Sequence, residues 1–189
     1  MSNHLPDPSL GSPPVSLPYD LEACTELMRG GSKSFFAASR LLPVRLRPPA
    51  IALYAFCRLA DDAIDDGDDP VLAMADLKSR LAAIYAGRPG AEDADRALTI
   101  VVHRYGVPSG LLEALLDGFL WDSQGRRYET LADVEAYGAR VAGTVGAMMS
   151  IIMGASSDTA IARASELGVA MQLTNIARDV GDDARMGRL

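Results

Sequence analysis

From Pro18 onward, apolar residues recur at three- and four-residue intervals, and no stretch alternates apolar and polar positions between turn signals. The pattern predicts an all-α fold. Helices are expected over 19–29, 34–41, 47–65, 70–86, 93–105, 108–119, 131–153 and 158 to about 183. The breaks fall on residues that stop helices: Gly30 and Gly31, Pro43, Gly67, Gly87 with Pro89, Gly106 with Pro108, Gly125 and Gly154. In the helix after Thr130, Val134, Val141, Val145, Met148 and Ile152 recur at threes, fours and sevens, which predicts burial. Gly143 and Gly146 lower the helix propensity there, a cost that is tolerable where something bulky must approach the backbone.

No repeat or inter-domain linker interrupts the pattern, so one domain is expected over 18–189. Residues 1–17, rich in proline and serine, read as a flexible leader. They lack the basic start and apolar run of a signal peptide. With 189 residues, 49% apolar and 23% charged, the chain is long enough to bury a sizeable core. A net charge of −7 argues against non-specific nucleic-acid binding, which needs basic patches. Cys24 and Cys57 show neither metal-ligand spacing nor a disulfide framework, which fits a reducing cytoplasm. No run of about eighteen apolar residues is present to span a bilayer.

The chemistry concentrates at two acidic stripes. In LYAFCRLADDAIDD, Tyr54, Arg58, Asp61 and Asp65 follow at intervals of four, three and four. At about 100° per residue they share one face, with Asp62 and Asp66 turned aside. Asp61 and Asp65 are therefore the candidate metal ligands, with their neighbours solvated or in a supporting shell. Two carboxylates one turn apart repel, and a divalent cation removes the conflict. Oxygen donors favour Mg²⁺, with Mn²⁺ as the alternative. Taken alone, the run also reads as a solvated helix end, although the negative pole of the helix is a poor place for anions.

The second stripe lies in MQLTNIARDVGDD, where Asn175, Asp179 and Asp183 follow at four-residue intervals and Gln172 and Arg178 share the broad arc. An amide and two carboxylates can offer oxygen to a hard cation, and an arginine fork can hold a phosphate. The bland alternative is a surface stripe carrying an Arg–Asp pair. Together the stripes describe a cavity with acidic clusters on opposing walls. That arrangement suits diphosphate ionisation to an allylic cation in an otherwise apolar cavity.

The blocks SKSFFAASRLLP, ALYAFCRLADDAIDD, EAYGARVAGTVG and MQLTNIARDVGDDARMGRL resemble, in order and spacing, the signature blocks of the squalene and phytoene synthase family. The segment GFLWDSQGRRYETLADVEAYGARVAGTVG is most like the bacterial phytoene synthase branch. The resemblance implies an isoprenoid synthase-type helical bundle around a central cavity. It also implies that members run on past Leu189, so a partial domain is expected.

By the same resemblance, Asp61 and Asp65 form the first metal motif, and Asn175, Asp179 and Asp183 the second. Ser32, Lys33, Ser34, Tyr54, Arg58, Gln172 and Arg178 line the diphosphate sites, and Tyr137 and Val141 face the prenyl chains. Read without it, Ser32 to Ser34 are an ordinary helix start and the two tyrosines ordinary core residues. The implied reaction, a step of carotenoid biosynthesis, joins two geranylgeranyl diphosphates head to head through prephytoene diphosphate to phytoene. It requires Mg²⁺ and no NADPH. The alternatives are another head-to-head synthase, making squalene, hydroxysqualene or dehydrosqualene from farnesyl diphosphate, and an inactive fragment that only binds prenyl diphosphate. A cytoplasmic protein is expected, in transient contact with the membrane surface and with other carotenoid enzymes.

Overall fold

A computed structural model describes residues 19–65, 67 and 69–185, apart from the side chains of Asp182 and Asp183. The expected leader over 1–17, Asp66 and the side chain of Asp183 therefore lie outside the described residues. The rest is helical, with no strand among the described residues: α1 (Leu21–Gly31), α2 (Lys33–Ser39), a 3₁₀ turn (Val44–Leu46), α3 (Arg47–Asp65), α4 (Pro70–Tyr85), α5 (Asp93–Tyr105), α6 (Ser109–Ser123), α7 (Leu131–Gly138), a π-helical turn (Ala139–Gly143), α8 (Thr144–Ile152) and α9 (Asp158–Arg185).

Local chemistry sets the boundaries. The Asp20 side chain accepts from the N–H groups of Glu22 and Ala23, so α1 starts at Leu21. Asp69 caps α4 in the same way ahead of Pro70, and Thr130 and Asp133 form a reciprocal capping box on α7. The prolines of α3 sit in its first turn, where no intrahelical donor is lost. Gly106, at φ 66°, closes α5 in the left-handed conformation.

Three expectations are corrected. Gly30 and Gly31 do not stop α1, which runs through both and ends where Ser32 turns extended. Helix α6 continues past Phe119 to Ser123, because the chain has no breaker before Gly125. The helix expected over 131–153 contains a π turn at its centre, which changes the phase of the residues after it.

Helix α3 is the hub, packed on α1, α4, α5 and α6, and α8 packs on both α3 and α9. Phe56, Ile64, Leu77, Leu98, Leu115 and Met148 are fully buried around it. Each such side chain contributes roughly 1.5–3 kcal/mol of transfer free energy. The expected burial after Thr130 holds best in α8, where Met148 and Ile152 enter the core. The bulky neighbour at its glycines is α9 itself: a Cβ on Gly146 would collide with the Ala164 carbonyl, and one on Gly168 with that of Ala142.

One charged pair is deeply set. Asp95, almost wholly buried, accepts from Arg80 Nε at 3.0 Å and Nη2 at 2.8 Å, pinning α4 to α5.

Candidate active site

The first stripe occupies the last three turns of α3, whose opposite face is held in the core by Phe56, Ala60 and Ile64. Asp61 is half-buried and Asp65 exposed. The Asp61 carboxyl is pushed up to about 6, first by loss of hydration and then by the charge of Asp65 one turn on. Asp62 and Asp122 add to the rise, and Arg58 opposes it. Such a site favours a positive partner for its anionic form.

Arg58 does not turn to Asp61. Its Nε donates to Asp62 Oδ2 at 3.0 Å and its Nη2 lies 2.5 Å from Asp62 Oδ1, whereas Nη1 stands 3.9 Å from Asp61. Both spacings put a carboxylate in reach of Arg58, and the conformation of its side chain gives Asp62 the two-pronged contact. Asp62 is thus part of the wall and not simply solvated. Arg58 and Asp62 also border a concavity between α1, α3 and α5 that includes Cys24, Leu27 and Asp93.

The junction of α1 and α2 lies against this wall. The Gly31 Cα is so close to Tyr54 and Arg58 that a Cβ there would touch the tyrosine hydroxyl and, at 3.2 Å, Arg58 Cδ. The Phe35 and Tyr54 rings meet at 5.9 Å. Ser32, Lys33 and Ser34 are therefore brought beside Tyr54 and Arg58. Ser32 also caps α2, accepting from the Phe35 N–H at 3.2 Å and lying 3.1 Å from Ser34 Oγ.

Within electrostatic reach of the Asp61–Asp65 pair lies a residue that the sequence did not single out. Asp122, in the last turn of α6, accepts a 2.7 Å hydrogen bond from the Tyr137 hydroxyl of α7. Partial desolvation raises the Asp122 carboxyl, Asp65 adds to the rise, and the bond from Tyr137 opposes it. Burial and the same bond raise Tyr137 well above the usual phenol range, so it remains a donor. Around the pair, Tyr128 and Tyr137 stack at 5.3 Å. Trp121 lies between the guanidinium groups of Arg126, at 3.8 Å, and Arg140, at 4.0 Å. A helix end placed at Phe119 hides Asp122. The usable signal was the absence of any breaker between Gly118 and Gly125.

Val141, in the π turn, packs its Cγ1 where a Cβ on Gly118 would lie, against α6. Gly138, next to Tyr137, backs onto Val169 and Gln172 of α9, so Gln172 is brought to the Tyr137 side. Asn175 is half-buried on the following turn. Arg178 grips Asp179 at 2.7 and 2.9 Å on the exposed end of α9, which holds the Asp179 carboxyl below its usual range. Among the described residues, no three His, Cys, Asp or Glu side chains converge as a ready metal centre.

Both cysteines are free thiols, and burial pushes Cys24 up to about 11 and Cys57 up to about 12, which suits packing and not nucleophilic chemistry. No described helix is long and apolar enough to cross a membrane.

A family model for squalene/phytoene synthase matches residues 28–189. The chain belongs to this family. It is 57% identical over 173 residues to a phytoene synthase of Rhodobacter capsulatus, covering 90% of this chain and 51% of that protein. To a phytoene synthase of Cereibacter sphaeroides it is 52% identical over 180 residues, again covering 90% and 51%. It spans about half the length of the curated relatives it matches. Among solved structures, a dehydrosqualene synthase crystallised with a ligand is 35% identical with a TM-score of 0.81, over 89% of this chain and 59% of that one. A squalene synthase of Alicyclobacillus acidocaldarius is 28% identical with a TM-score of 0.83, over 89% and 64%. The fold is accordingly of the isoprenoid synthase helical type.

Proposed function

We propose that the protein carrying this chain is a phytoene synthase, joining two geranylgeranyl diphosphates head to head through prephytoene diphosphate to phytoene. The observation that carries the reading is the Asp61–Asp65 pair, one turn apart on α3 with Asp61 half-buried, in a chain more than half identical to a relative named phytoene synthase.

The donor set fits a hard divalent cation. Asp61 and Asp65 would hold it on α3, and Asn175, Asp179 and Asp183 on α9. Bound Mg²⁺ would supply charge neutralisation of the leaving diphosphate. The protein's own groups do the remaining work. Arg58, Ser32, Lys33 and Ser34 bind phosphate oxygens beside Tyr54, and Gln172 and Arg178 do so from α9. The two arginines are delivered from ion pairs with Asp62 and Asp179, so phosphate binding exchanges one anionic partner for another. The protonated Tyr137, held by Asp122, offers an oriented hydroxyl at the prenyl side.

The reaction needs no nicotinamide in this reading. We place the protein in the cytoplasm, touching the membrane surface because the substrate is amphiphilic and the product apolar, and next to other enzymes of the carotenoid sequence.

The test is product analysis of the full-length protein incubated with geranylgeranyl diphosphate and Mg²⁺, without NADPH. Phytoene is the expected product. Turnover of farnesyl diphosphate alone to a dehydrosqualene- or squalene-type product would move the protein to the neighbouring head-to-head synthases. Binding without turnover would leave a prenyl-diphosphate binder.

A further inference from the structure

Charge is unevenly distributed along this acidic chain. Between Leu27 and Ala60 stand six lysines and arginines, Arg29, Lys33, Arg40, Arg45, Arg47 and Arg58, and no aspartate or glutamate. Three of them cluster in the corner between α2 and α3, in the sequence Arg40-Leu41-Leu42-Pro43-Val44-Arg45-Leu46-Arg47.

The corner sorts its apolar residues into two directions. Leu46 is buried and Leu42 packs against the core. Leu41 is 88% exposed and Val44 74% exposed, the highest values among the exposed large apolar side chains. Arg40 and Arg45, which flank these two, are exposed and form no ion pair among the described residues.

The corner is also preformed. Arg47 Nε donates to the Leu42 carbonyl and its Nη2 to the Arg40 carbonyl, both at 2.8 Å, and the Leu46 N–H bonds the Pro43 carbonyl at 2.8 Å. One arginine is thus spent on fixing the loop while two stay free at its sides. An apolar tip held rigid costs little ordering entropy when it is covered.

We propose that this corner docks on an anionic lipid surface, Leu41 and Val44 entering the acyl boundary while Arg40 and Arg45 meet the headgroup phosphates. Two apolar side chains alone give a weak anchor, and flanking cations supply the second signal that stable interfacial binding needs. A protein partner with an acidic groove would match the charges as well, but a stable protein interface buries about 800 Å² per partner, more than one short corner offers. The corner joins the Tyr54–Arg58 wall through α2, seven residues and on the order of 10 Å long, so docking there holds the site close to the bilayer. The inference rests on the peripheral-contact part of the proposed function. Its test uses no substrate, so loss of the docking leaves the synthase reading standing, and loss of the synthase reading leaves the docking measurable.

The experiment is sedimentation of the full-length protein with vesicles of phosphatidylcholine alone, or mixed with about one part in three phosphatidylglycerol. Wild type is expected to bind the anionic vesicles and to release as NaCl rises from about 0.05 to about 0.5 M. Leu41→Ser with Val44→Ser, and separately Arg40→Gln with Arg45→Gln, should each lower the bound fraction by about tenfold. Circular dichroism melts check that both variants fold, as expected for exposed positions. Equal binding to both vesicle types overturns the proposal, as do folded variants that bind like wild type. Variants that alter the oligomeric state by light scattering but leave vesicle binding intact assign the corner to a second copy, and overturn it too.

Discussion

The Tyr137 hydroxyl donates to Asp122 Oδ2 at 2.7 Å, tying α7 to the last turn of α6 within electrostatic reach of Asp61 and Asp65. If Asp122 acts by holding Tyr137, the two residues behave as one unit. Asp122→Leu and Tyr137→Phe should each reduce kcat/KM of the full-length protein by about 10- to 100-fold, the size of a hydrogen bond to a charged group. The double variant should lose little more than either single one, and Asp122→Asn, which keeps an acceptor oxygen, should recover part of the loss. Additive losses, measured as kcat and KM separately, would show that the two act independently.

The raised carboxyl of Asp61 predicts a pH dependence of stability. Its native value is about 6 and its ordinary value 3.8, so between these the native state binds more protons than the unfolded one. Stability contributed by this group therefore falls as pH rises from about 4 through 6, and the full penalty stands above 6. With a chelator present, Asp61→Asn should raise Tm at neutral pH and give no gain near pH 4. Mg²⁺ should raise the Tm of wild type at neutral pH and leave Asp61→Asn unmoved. A gain that is the same at both pH values would sink the titration argument.

The helical class and the α3 stripe were legible because the signals are local: a 3.6-residue period, glycine and proline stops, and carboxylates at four-residue spacing. What was not legible depended on tertiary contact. Arg58 had two acidic neighbours in reach, and only geometry selected Asp62. Asp122 gained its place from Tyr137, fifteen residues away, after a helix end that sequence placed one turn too early. The π turn is equally silent, since Ala139 to Gly143 have no local signature that separates it from an α-helix, and its setting is the contact of Gly138 and Gly143 with α9. For the second stripe, the alternative of a surface Arg–Asp pair is the one seen at Arg178 and Asp179, and spacing alone did not choose between it and a ligand role.

The buried Arg80–Asp95 pair should behave unlike the surface pairs. Arg80→Met leaves an almost wholly buried carboxylate without its fork and is expected to cost about 3–5 kcal/mol by chemical denaturation. Replacing Arg163, which pairs with Glu166 on the exposed face of α9, should change stability by less than about 1 kcal/mol. Comparable losses at the two sites would mean that burial is not what gives the α4–α5 pair its weight.

The crossing of α8 and α9 gives the sharpest steric prediction. Gly146 faces the backbone of Ala164, and a backbone carbonyl held inside a continuous helix cannot swing aside as a side chain would. Gly146→Ala should therefore destabilise by about 1–3 kcal/mol, despite the gain of up to about 1 kcal/mol that alanine brings to a helix. Gly168→Ala, which meets the Ala142 carbonyl from the other side, should do the same. Gly110 in α6 is the control, because a Cβ there meets nothing within 4 Å. Gly110→Ala should be neutral or stabilising by a few tenths to about 1 kcal/mol. If all three substitutions stabilise in denaturant titrations, the two helices do not cross at backbone contact, and the small residues of α8 need another reason.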